Sequence, residues 1–205
     1  MKKSVLLMMA LLVAAPLFAQ ERRTTVTVWA SQVEMQGEND LDGGFTTDFE
    51  DGNALGASVN VFVARMFSVE ASVFGIRSDA AMAFEGTSLD LGSIDLVPVT
   101  LGVQLHPFGS SRFDPYVGAG GAYVMADDLN SNDLDTLGLG RIELENELTY
   151  YLNAGVGFQI TEGFGLVIDG RYIPYETSSR STRTGGEQDL EFGPQILSAG
   201  LRFRF

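Results

Sequence analysis

Hydrolysis by an activated serine needs a base, and the chain offers one histidine and no cysteine. That residue, His106, stands directly before Pro107 at the end of an alternating apolar segment. It reads as a rim residue at a turn, and serines and acids elsewhere cannot supply the missing imidazole. The missing cysteines also remove disulfides and zinc-thiolate sites. Asp127-Asp-Leu-Asn-Ser-Asn-Asp-Leu-Asp135 has the composition of a calcium loop. It lacks the glycine at the sixth place and the glutamate at the twelfth, so the EF-hand reading fails. A solvated acidic loop is the expectation, with diffuse divalent binding as its alternative. Gly118-Ala-Gly-Gly121 and Gly155-Val-Gly157 open no helix, so they read as space-making glycines rather than a nucleotide fingerprint. No cofactor is expected.

The remaining candidates are ionic. Asp169 and Arg171 lie two apart, hence on one face of a strand. Pairing through the short Thr161–Phe164 connection would put Asn153 opposite Arg171. Arg202, Arg204 and Glu70 form a second candidate cluster. Two functions fit: a polar gate, or an internal salt-bridge network that fills a lumen. Buried charges must be paired, which favours the network.

The elements that would carry these residues are strands. From residue 24 onward the dominant signal has period two. Leu148, Tyr150, Leu152, Ala154, Val156, Phe158 and Ile160 alternate with Thr149, Tyr151, Asn153, Gly155, Gly157 and Gln159. Asp95–His106, Asn53–Val63 and Leu197–Phe205 repeat the design. Thr24–Glu34, Ser68–Arg77, Phe113–Met125 and Gly165–Tyr175 complete a set of eight, the first ambiguous in phase. Short connections at Ala64–Phe67, Pro107–Arg112 and Thr161–Phe164 alternate with long ones near 35–52, 78–94, 126–147 and 176–194. Short turns at one end and long loops at the other is the layout of an outer-membrane barrel, the turns being periplasmic.

A soluble sandwich also alternates. Strands of 10–13 residues exceed the usual 5–6 or so, and aromatics gather toward the ends of the apolar faces. The opposite faces mix glycine with polar residues, as a narrow lumen requires. The expected fold is all-β, an eight-stranded antiparallel transmembrane β-barrel of up-and-down order.

Residues 1–19 are expected to be a cleaved signal peptide: Lys2 and Lys3, then an apolar run from Val5 to Phe18, then Ala19. The barrel would occupy residues 20–205. Without residues 1–19 the chain carries 11 arginines against 27 acids, a net charge of −16. Such a balance repels nucleic acid. Residues 34–51 hold seven acids and no base. Leu201, Phe203 and Phe205 end the chain in the manner of a strand read by the barrel-assembly machinery.

Two stretches resemble the OmpW family of small outer-membrane barrels. One is Asp95-Leu-Val-Pro-Val-Thr-Leu-Gly-Val-Gln-Leu-His-Pro-Phe-Gly109, followed by Phe113-Asp-Pro-Tyr-Val-Gly-Ala-Gly-Gly-Ala-Tyr123. The other is Leu152-Asn-Ala-Gly-Val-Gly-Phe158 through Asp169-Gly-Arg-Tyr-Ile-Pro-Tyr-Glu-Thr177, closing with Ala199-Gly-Leu-Arg-Phe-Arg-Phe205. The resemblance implies a narrow hydrophobic pocket in the bacterial outer membrane. It also implies passive passage of small hydrophobic molecules, released sideways into the bilayer. The alternative is a closed structural or adhesive barrel whose acidic loops contact ions, lipopolysaccharide or other cells. Neither is an enzyme.

Overall fold

The computed structural model describes residues 24–36, 39–41, 45–49, 51–84, 87–109, 112–126, 142–144, 146–181 and 187–205. The expected signal segment 1–19 and the acidic stretch Asp127–Asp135 lie outside these residues.

Eight long strands form the wall: β1 Thr24–Gln36, β2 Gly52–Ala64, β3 Phe67–Phe84, β4 Thr87–Leu105, β5 Phe113–Ala126, β6 Glu147–Gln159, β7 Phe164–Tyr172 and β8 Glu187–Arg204. Each pairs antiparallel with its chain neighbours. The sheet closes because β8 also pairs with β1, from Thr25 opposite Arg204 to Gln36 opposite Gly193. Closure satisfies the backbone of both terminal strands, which a hydrocarbon medium could not do. The short turns follow the expected positions. At one of them Gly109 has φ of 61°, a conformation open to glycine at no steric cost, and its N–H donates to His106 O at 2.9 Å.

At the other end the structure departs from the expected long loops. β3 and β4 continue past the predicted ends at Arg77 and Asp95 and stay paired as far as Phe84 opposite Thr87. Phe45–Phe49 pairs beside β3, and Tyr175–Ser181 pairs beside the start of β8. The physical reason is loss of the lipid-facing stripe. Beyond the bilayer a strand no longer needs an apolar face, so its period-two signal fades while its hydrogen bonds continue.

Side chains alternate across the wall. Leu101, Val117, Leu152, Ile168 and Leu197 face outward, each at least half exposed. An outward apolar stripe of this kind is what a lipid-facing barrel presents. Tyr123, Tyr150 and Tyr172 mark the long-strand end of this surface; near the short turns Phe113 packs edge-on against Phe158, and Phe164 meets Phe203 at a tilt. Tyr150 and Phe158 are about 26 Å apart along β6 at strand rise, or roughly 20 Å along the axis of a tilted barrel. The phase of β1 is settled as well. Thr25, Thr27, Trp29, Ser31 and Val33 are buried, and Val28 is exposed.

Candidate functional site in the barrel lumen

The lumen divides by height. In the half near the long-strand ends its wall is largely apolar: Val33, Ala54, Phe74, Ile76, Leu96, Val124, Ile173 and Ile196 are all buried, with Ser78 as a polar exception. In the half near the short turns it is mostly polar, with Val167 as an apolar exception. Glycine makes the room. A Cβ on Gly200 would stand 2.6 Å from Cε3 of Trp29, whose indole N–H donates to Ser58 Oγ at 3.0 Å.

Arg171 dominates the middle. It enters from β7, opposite Asn153 of β6 as expected, and its side chain crosses the lumen to β3 and β4. Nη2 donates to Glu70 Oε1 at 2.6 Å; Nη1 donates to Ser72 Oγ at 2.6 Å and to Thr100 Oγ1 at 3.0 Å. The guanidinium stacks near Phe74 at 5.1 Å and Tyr151 at 4.8 Å. From Glu70 the hydrogen bonds run toward the short turns. Gln104 Nε2 donates to Glu70, and Asn60 Nδ2 donates to Gln104 Oε1 at 2.7 Å. Asn60 also donates to Ser68 Oγ at 3.5 Å.

Ser68 Oγ lies 3.0 Å from His106 Nε2, and His106 Nδ1 lies 2.9 Å from Asp114 Oδ1. Arg202 Nη1 donates to the other oxygen of Asp114 at 3.0 Å and sits 5.5 Å from the Tyr116 ring centre. Tyr116 Oη donates to Asp169 Oδ2 at 2.8 Å, as does Asn153 Nδ2 at 2.9 Å. Asp169 Oδ1 then comes back to 3.6 Å from Arg171 Nε. The contacts form a closed ring from Arg171 through Arg202 to Arg171 again.

Several sequence readings change here. His106 is not at the rim: it is 1% exposed, inside the lumen. Glu70 meets Arg171 rather than Arg202, which pairs with Asp114 instead. Arg204 faces the same way as Arg202, half-buried at the short-turn end. Leu201, Phe203 and Phe205 point out of the barrel. Ser68, Gln104, Asn60, Asp114 and Tyr116 were missed, although each falls on the polar phase of a strand that sequence alternation had identified.

Ser68, His106 and Asp114 have the order and spacing of a hydrolytic triad. The serine is fully buried, and an arginine already neutralises the carboxylate. The chemistry this arrangement performs best is charge pairing: three carboxylates against two guanidiniums, held by neutral donors. Among the described residues no group of three or more His, Cys, Asp or Glu is placed to hold a metal ion.

Above the ring lies a cavity of about 730 Å³. It is bordered by five adjacent strands, and each bordering stretch centres on a lumen-facing residue: Val33, Gly52, Asn153, Arg171 and Ile196. The cavity is therefore inside the barrel, with Arg171 in its lining.

Known proteins place this arrangement. The solved structure of OprG from Pseudomonas aeruginosa superposes with a TM-score of 0.74 at 18% identity, covering 89% of this chain and 95% of that one. The outer membrane protein AlkL in lipid bilayers gives 0.62 at 22% identity, over 89% and 90% of the two chains. In sequence, AlkL of Ectopseudomonas oleovorans is 26% identical over 181 residues, 84% of this chain and 76% of that protein. The uncharacterized outer-membrane protein y4mB of Sinorhizobium fredii is 27% identical over 120 residues. That match covers 56% of this chain and half the length of y4mB. The profile of the OmpW family matches residues 14–205, so this chain belongs to the OmpW family and is a β-barrel of the bacterial outer membrane.

Proposed function

We propose that the barrel lets small hydrophobic molecules cross the outer membrane passively, entering the chamber from outside and leaving sideways into the bilayer. The observation that carries this is the division of the lumen. A cavity of about 730 Å³, within the range of small-ligand pockets, has Val33 and Ile196 in its lining beside Asn153 and Arg171, and buried apolar side chains crowd the lumen on the long-strand side. The ion-paired ring lies on the periplasmic side. An apolar solute would have to break desolvated ion pairs to continue along the axis, which costs several kcal/mol. The wall, which faces hydrocarbon, is the cheaper exit. The chain's acidic excess, 27 acids against 13 basic residues, would disfavour anionic solutes. Residues 1–19 would act as the export signal. The outward set Leu201, Phe203 and Phe205 suits recognition by the assembly machinery.

A second reading is favoured by the completeness of the ring: a closed structural or adhesive barrel that passes nothing. Uptake of a small apolar fluorophore by liposomes holding the purified protein separates the two. Uptake above protein-free liposomes supports passage. Equal rates would leave the structural reading.

A further inference from the structure

We propose that the short-turn end carries a docking site for an anionic phospholipid of the periplasmic leaflet. Arg65 and Arg112 serve its phosphate, and Met66, Phe67 and Phe108 lie against its acyl chains. The site is independent of passage through the lumen.

Charge is the first argument. The chain holds 27 acids against 13 basic residues. The short turns reverse that balance: Ala64–Phe67, Pro107–Arg112 and Thr161–Phe164 contain Arg65 and Arg112 against one acid, Glu162. Glu70 and Asp114, toward the same end, are buried and paired with Arg171 and Arg202. Arg65 and Arg112 are both exposed, and neither has an ion-pair partner among the described residues.

Geometry is the second. His106 N–H donates to Met66 O at 2.8 Å, which ties the first turn to the second. Arg65 lies across Gly109 of that second turn. Its Cγ and Nε would stand 3.3 and 3.5 Å from a Cβ at position 109, so the glycine leaves the space in which the arginine stem rests. A stem already packed loses less freedom when its head binds. Around it Met66, Phe67 and Phe108 are 41%, 50% and 59% exposed. Phe67 begins the lipid-facing stripe of β3, while Met66 and Phe108 stand on the turns themselves. Apolar tips beside unpaired guanidiniums suit the boundary between acyl chains and headgroups, where arginine keeps its stem in the apolar layer and its charge in water.

Other occupants fit less well. A zwitterionic lipid brings an ammonium to the same place and weakens the attraction to two guanidiniums. An acidic peptide supplies the charge but leaves Met66, Phe67 and Phe108 without hydrocarbon.

The test places a lone tryptophan at the site, Phe108→Trp in a Trp29→Phe background, with the full chain folded into vesicles of phosphatidylcholine and phosphatidylglycerol. Two sets have the same lipid composition and the same bromine content; only the headgroup on the brominated lipid differs. We expect phosphatidylglycerol to quench as though enriched about fivefold at the tryptophan, the advantage of roughly one basic residue at an anionic surface. Arg65→Gln, which keeps a stem over Gly109 and the gel mobility of the folded barrel, should cut that enrichment below about twofold, and high salt should lower it as well. Equal quenching by the two brominated lipids in the chain with both arginines, which needs no arginine variant, would overturn the proposal. So would an enrichment that Arg65→Gln and Arg112→Gln together leave unchanged. A tryptophan at position 108 that neither lipid quenches would show the turns standing off the membrane; it would leave the site to an acidic periplasmic partner and overturn the proposal too.

Discussion

The guanidinium of Arg171 spans the lumen to reach Glu70, with 2.6 Å between Nη2 and Oε1, so two strands on opposite sides of the barrel share one buried ion pair. The pair ties β7 to β3, and Arg171 also lines the cavity. Because both side chains are removed from solvent, losing one partner strands the other's charge.

Arg171→Ala should therefore lower the unfolding free energy by about 3–5 kcal/mol in urea titrations of the lipid-embedded protein. Replacing both partners, Arg171→Met with Glu70→Met, should recover only part of that loss, since it leaves no unpaired charge between them but still takes the guanidinium away from buried Asp169. A loss below about 1 kcal/mol in the single variant would mean that the ring does not hold the barrel together.

Gly200 and Trp29 make a second, steric prediction. A Cβ at position 200 would meet the indole at 2.6 Å, and the indole is held by Ser58. Gly200→Ala should cost about 1–3 kcal/mol, the usual range for overpacking. The emission of Trp29, the chain's one tryptophan, should shift with it. Unchanged stability and emission would show that the lumen is looser than these distances imply.

Ser68 tests whether the Ser68–His106–Asp114 alignment is chemistry or packing. Its hydroxyl is buried and engaged by Asn60 and His106. A serine-directed fluorophosphonate should leave the folded protein unlabelled, and Ser68→Ala should cost about 1 kcal/mol, the value of one hydrogen bond. Labelling that vanishes in Ser68→Ala would expose a reactive serine and contradict the packing reading.

The barrel was legible in the sequence because lipid imposes alternation on every spanning residue: Leu152, Ala154, Val156 and Phe158 could be read without any knowledge of their neighbours. The Asn153–Arg171 pairing was legible for a related reason, since a short turn fixes the register on both sides of it. The ring was legible only in part. Ser68 lies opposite Gln104, two residues from His106, and the 107–112 turn brings Asp114 near, but alternation places these side chains on one face without saying which of them touch diagonally. The same holds for Glu70, whose partner lies across the barrel, 101 positions away in sequence. The phase of β1 was hidden because Trp29 and Val33 are apolar yet face the lumen. The extensions of β3 and β4 were hidden because strands outside the bilayer keep their hydrogen bonds and lose their apolar stripe.

The most direct test is which faces of β1 and β7 touch acyl chains. Brominated lipids quench tryptophan only on contact, and Ile168 and Trp29 lie on opposite sides of the wall. In vesicles of brominated phosphatidylcholine, Ile168→Trp in a Trp29→Phe background should be strongly quenched, and Trp29 in the unaltered chain should be nearly unaffected. Strong quenching of Trp29 with a protected tryptophan at position 168 would turn the barrel inside out and contradict the assignment of chamber, ring and lipid face together.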